Sequence, residues 1–96
     1  MEVQIQGIRF TMSDQLRAFV EKKIERLARR YDSINTFDVT MTLVRPETAN
    51  NKEVRLHVGV AGGDLISTKT ADTFEEAFDV AIEGVERQLE RRKEQR

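Results

Sequence analysis

The 96-residue sequence contains no cysteine and no tryptophan, and only one histidine, one proline and one tyrosine. Without cysteine there is no disulfide framework, no thiolate nucleophile and no cysteine-ligated zinc or iron–sulfur centre. The lone histidine, His57, excludes a two-histidine relay and a histidine-rich metal site. No apolar run approaches the ~20 residues that cross a bilayer. The start Met1-Glu2-Val3-Gln4 has no basic stretch leading into an apolar one, so no secretory leader is read. A soluble, cytoplasmic protein is expected. One proline (Pro46) and five glycines leave no composition for a long flexible linker, and the length fits a single domain over residues 1–96.

What the chain has is charge. Asp, Glu, Lys and Arg make up 34% of it, yet 16 basic against 17 acidic side chains leave a net charge of −1. That total hides a segregation along the chain. Residues 13–31 and residues 87–96 each carry +3, residues 32–86 carry −7, and residues 1–12 balance. Charge asymmetry of this kind points to a polyanionic partner more than the total does. Arg outnumbers Lys eleven to five, and the planar guanidinium suits two-point phosphate contact.

Hydrophobic periodicity sets the elements. Val3 and Ile5 alternate with glutamines as a half-buried strand, and the change of phase to Ile8 and Phe10 suggests a β-bulge at Gly7. Ser13 is a helix N-cap, followed by Leu16, Phe19, Val20, Ile24, Leu27 and Tyr31 at spacings of three and four. Phe37, Val39, Met41 and Leu43 alternate as a second strand. A loop over 45–51 leads to a third strand with Val54, Leu56, Val58 and Val60 inward. Ala61-Gly62-Gly63-Asp64 is a hairpin turn into a short, polar edge strand over 65–70. Thr73-Phe74-Glu75-Glu76 fits a capping box, and a second helix follows with Phe74, Ala77, Phe78, Ala81, Ile82, Val85 and Leu89 as its stripe. Residues 87–96 continue as a basic helical extension. The order β-α-β-β-β-α predicts an α+β two-layer sandwich, with a four-stranded mixed sheet and two parallel helices on one face.

No catalytic arrangement emerges. His57 reads as a partly exposed strand residue with no Ser, Cys or carboxylate spaced to form a relay. Glu75, Glu76, Asp79, Glu83, Glu86 and Glu90 read as the solvated face of helix two rather than a metal site. The basic residues are more pointed. On a helical wheel Lys22, Arg26, Arg29 and Arg30 lie along one flank of the first apolar stripe, with Lys23 at its border. Arg87 and Arg91 lie on the corresponding flank of the second. Gly84 sits in a row of small residues with Ala77 and Ala81, which suggests that the two helices approach closely there and draw their basic rows together. The competing reading is of ordinary solvated helices with i,i+4 ion pairs. With every helix phenylalanine in a core stripe, nucleic-acid binding here would read backbone and shape, not stacked bases.

Several stretches in order resemble the ribosome hibernation-promoting factor family, also called ribosome-associated translation inhibitors and sigma-54 modulation proteins. They are Ile5-Gln6-Gly7, Leu16-Arg17-Ala18-Phe19-Val20, Lys23-Ile24-Glu25-Arg26-Leu27, Tyr31-Asp32-Ser33-Ile34-Asn35, Leu56-His57-Val58 and Val85-Glu86-Arg87-Gln88-Leu89. The resemblance implies a non-enzymatic stress or stationary-phase factor without cofactor. It would bind the small ribosomal subunit and its 16S rRNA in the channel shared by mRNA and tRNAs, and so inhibit translation. It places Arg17, Lys23, Arg26, Arg87, Arg91 and Lys93 against rRNA, to which the wheel and tail add Lys22, Arg29, Arg30 and Arg92. Two departures stand out: Thr73-Phe74-Glu75 replaces an Asp-Met/Leu-Tyr start to helix two, and Gly84 stands where a lysine is common. Ending at Arg96, the chain looks like the short form, which in some bacteria needs a separate ribosome-dimerisation factor. A general double-stranded RNA module and a protein-interaction adaptor, working through the acidic face of helix two or the sheet edge, are the alternatives.

Overall fold

The computed structural model describes residues 1–45 and 48–94. Pro46 and the last two residues of the basic extension therefore lie outside the described residues. Six elements follow in order: β1 (Glu2–Ile8), α1 (Asp14–Arg30), β2 (Ile34–Leu43), β3 (Lys52–Val60), β4 (Leu65–Ala71) and α2 (Phe74–Glu94). One sheet of order β1-β2-β3-β4 results, with β1 parallel to β2 and the other pairs antiparallel. This is the expected β-α-β-β-β-α two-layer sandwich.

Strand alternation decides which face is covered. Phe37, Val39, Met41, Val54, Leu56 and Val58 are each at most 1% exposed. They meet Val20, Ile24 and Leu27 of α1 and Ala77, Phe78, Ala81 and Val85 of α2 in one core. The alternate residues, among them Thr40, Thr42, Arg55 and His57, face outward on the uncovered side. Burying the apolar stripe of each helix against the sheet, not helix propensity, supplies most of the stability of such elements. The ends are fixed locally. Ser13 Oγ accepts from the Leu16 amide at 3.1 Å, and Thr73 Oγ1 accepts from the Glu76 amide at 3.1 Å. Between β3 and β4 the Gly63 amide donates to the Val60 carbonyl, with Gly62 and Gly63 at φ of 93° and 126° that side chains resist.

Two expectations fail. There is no bulge at Gly7: β1 pairs with β2 in unbroken register from Glu2↔Thr36 to Ile8↔Thr42. The change of hydrophobic phase marks the strand's end instead. Arg9 turns the chain at φ 67°, and Phe10 folds back to stack on Phe74 with ring centroids 4.3 Å apart. A side chain at Gly7 would meet the Phe10 ring at 3.1 Å, so the glycine makes room for that return. The second failure is Gly84, which does not face α1. A Cβ there would lie 2.8 Å from Ser67 Oγ on β4, so the glycine lets α2 lie close on the sheet edge rather than on its neighbour helix.

Candidate nucleic-acid interface

Because α1 and α2 run parallel on the same face, the Lys23, Arg26 and Arg30 flank of α1 looks across at α2. The side of α2 that it meets carries Asp79, Glu83 and Glu86. Lys23 is ion-paired with Asp79, and Arg30 Nη1 lies 2.8 Å from Glu86 Oε2. Both rungs join residues 56 apart in sequence and stand seven residues apart along each helix, so they fix the parallel register. A third contact completes the seam: the Tyr31 hydroxyl donates to Glu90 Oε2 at 2.8 Å. Burial, reinforced by this bond and the carboxylate charge, raises the Tyr31 pKa.

The seam corrects the reading of α2's carboxylates as a plain solvated face. Asp79, Glu86 and Glu90 turn towards α1, a pairing no single-helix wheel can show. Lys23 also lies over the Phe19 ring, 4.9 Å from its centroid. Its stem covers core while its charge stays at the surface, as the border position on the wheel implies.

The ten sequence-derived basic residues thus fall into groups. Lys23 and Arg30 are paired with carboxylates. Arg92 donates to the Gly63 carbonyl and ties the end of α2 to the β3–β4 hairpin. Arg17, Lys22, Arg26, Arg29, Arg87, Arg91 and Lys93 are exposed, and among the described residues none forms an ion pair. Arg17 stands apart, about 180° round α1 from Arg26. Arg87 and Arg91 lie on the side of α2 turned away from α1, beside β4. Arg29 and Arg30 end α1, and Arg91, Arg92 and Lys93 end α2, where cations also stabilise the helix dipole.

Sequence reading missed two features. His57 does have a carboxylate partner, since Asp64 reaches back across the hairpin with Oδ2 2.8 Å from Nε2. The two stand seven residues apart in sequence, and only the hairpin closes that gap. Both side chains are about half exposed on the uncovered sheet face, where the register sets Asp38 directly opposite His57. Lys69 is the other omission. It occupies a helix-side position on β4, where Leu65, Ser67 and Ala71 are buried, yet it is exposed beside Arg87 and Arg91. Its isolation in the sequence gave no helical pattern to find. Among the described residues no three His, Cys, Asp or Glu side chains gather as metal ligands, and no helix is long and apolar enough to cross a membrane.

The fold and this surface define a small two-layer α+β domain that presents cations from two parallel helices. The chain belongs to the sigma 54 modulation protein / S30EA ribosomal protein family, whose model matches residues 3–96. A ribosome hibernation promoting factor of Azotobacter vinelandii is 35% identical over 95 residues, 98% of this chain and 84% of the relative. One from Pseudomonas putida is 24% identical over 94 residues, 98% of this chain and 88% of its own length. Among solved structures, a ribosomal subunit interface protein from Coxiella burnetii superposes with a TM-score of 0.85 at 24% identity, covering 97% of this chain and 98% of that one. The N-terminal domain of Thermus thermophilus Protein Y gives 0.77 at 25% identity, over 95% and 98%.

Proposed function

We propose that this protein is a ribosome hibernation factor. It binds the small ribosomal subunit in the mRNA and tRNA channel through basic helix surfaces and inhibits translation under stress or in stationary phase. The observation that carries the reading is the 35% identity to the Azotobacter factor along 98% of this chain. The geometry adds a means. Arg17, Lys22, Arg26, Arg29, Arg87, Arg91 and Lys93 are the exposed cations available to 16S rRNA phosphates, while Lys23, Arg30 and Arg92 hold the helices and hairpin that present them. The activity is occupancy of a site, not turnover, and a separate dimerisation factor would be a further partner.

Replacing Arg26 and Arg91 together by Glu reverses two exposed charges that form no ion pair among the described residues. The double variant should keep its fold and lose about 10²-fold or more in affinity for small subunits, at ~1.5–3 kcal/mol per charged contact. Co-sedimentation with purified small subunits on sucrose gradients checks this. Unchanged co-sedimentation would remove these residues from the interface. Preference of the parent protein for a long RNA duplex over small subunits would favour the general duplex-RNA alternative.

A further inference from the structure

We infer that the concavity between α2 and the free edge of β4 is a track for an RNA phosphodiester backbone, with Lys69 as a contact residue; the inference rests on the hibernation reading. Three cations line it: Lys69 from β4, and Arg87 and Arg91 from α2. Ser67 and Gln88 add hydrogen-bonding side chains, and among the described lining residues there is no carboxylate.

The other concavities near the helices differ. The α1–α2 seam sets Lys23, Arg26 and Arg30 against Asp79, Glu83 and Glu86 and is balanced. The outer side of α2 sets Arg87 and Arg91 against Glu83, Glu86 and Glu90. The hollow at the helix C-termini holds Arg30, Arg92 and Lys93 with Asp32, but Arg30 and Arg92 are already engaged there. Of these four, the β4 groove alone is lined by cations and neutral donors without a carboxylate, the combination that suits a chain of phosphates, and it shares Arg87 and Arg91 with the mixed-charge outer side of α2. Gly84 keeps it open, because no side chain projects from α2 over Ser67.

A protein strand added to the β4 edge fits less well. The Gln88 amide already donates to the Ile66 carbonyl at 3.4 Å, so an incoming strand would have to displace it. Lys69 in mid-strand is also the kind of residue that keeps edges from pairing. Edge protection accounts for Lys69 by itself. It does not account for Arg87 and Arg91 lining the same groove, where no carboxylate joins them in the lining.

The test compares Lys69→Gln with Arg55→Gln, which removes the same charge from the uncovered sheet face. Both are exposed and should leave the circular dichroism spectrum unchanged. Binding is measured across a salt series to two probes, purified small ribosomal subunits and polyuridylate RNA. Lys69→Gln should weaken binding several-fold at low salt and flatten the dependence of log affinity on log salt by about one unit, whereas Arg55→Gln should leave that slope unchanged. If small subunits bind and the two variants are indistinguishable at every salt concentration, the groove falls and the hibernation reading stands. If small subunits do not bind but Lys69→Gln alone weakens polyuridylate binding, the groove stands and the hibernation reading falls. Failure of the parent protein to bind either probe overturns both.

Discussion

At Gly84 a single missing side chain sets the distance between a helix and a sheet. Glycine inside a helix costs about 1 kcal/mol relative to alanine, and here the compensation is the close seat of α2 on Ser67, itself only 7% exposed. Two effects oppose each other in Gly84→Ala: better helix propensity, and a methyl group 2.8 Å from the Ser67 hydroxyl. That contact is with the end of a short side chain, so removing it should reveal the propensity gain. In a Ser67→Ala background, Gly84→Ala should raise unfolding stability by about 1 kcal/mol, while in the parent it should give less. Urea unfolding of the four proteins checks this. Equal gains in both backgrounds would show that Ser67 does not set the approach.

Between elements the seam joining α1 and α2 is built of charges that are each about one-third or more exposed. Side-chain exposures are 33% and 43% for Lys23 and Asp79, and 56% and 37% for Arg30 and Glu86. Solvent screening at such positions leaves about 0–1 kcal/mol per pair. The rungs therefore specify register more than they stabilise the fold, and apolar burial beneath them holds the layers together. Their larger consequence is electrostatic. Neutralising the acidic partners by Asp79→Asn with Glu86→Gln should cost no more than about 1 kcal/mol per pair in thermal unfolding. It should also free two cations, tightening RNA binding and steepening its salt dependence. A large loss of stability would mean that the seam is structural. Unchanged binding to polyuridylate would mean that Lys23 and Arg30 do not reach RNA even when released.

Across the whole molecule the helices share one polarity. Asp14, Glu75 and Glu76 sit in the first turns of α1 and α2, and Arg29, Arg30 and Arg91–Lys93 in the last turns. Parallel packing adds these two axial gradients together, where antiparallel packing would have cancelled them. One core carries the arrangement, with Phe37 and Phe78 the largest fully buried side chains. Phe37→Ala should cost about 3–5 kcal/mol, a large part of the ~5–15 kcal/mol typical of a domain this size. It should lower both layers together in a single cooperative transition. Separate transitions seen by far-UV and near-UV circular dichroism would contradict a single core.

Much of this was legible in the sequence because it depends on local rules. Period-two runs such as Phe37–Leu43 and the stripe from Leu16 to Tyr31 can be satisfied by only one kind of element each. Ser13 and Thr73 mark their own helix starts, and Gly62-Gly63 marks the hairpin. The segregated charge, concealed in a total of −1, was also a property of the chain alone. What the tertiary structure decided is which charges remain available. Lys23 and Arg30 meet Asp79 and Glu86 only because two helices 56 residues apart are laid side by side. Lys69 joins Arg87 and Arg91 only because α2 crosses the β4 edge at Gly84. A wheel drawn on one helix ranks side chains by angle and contains nothing of the neighbour. Coulomb pairing acts through space over a few ångströms, so it is set by packing and not by spacing along the chain.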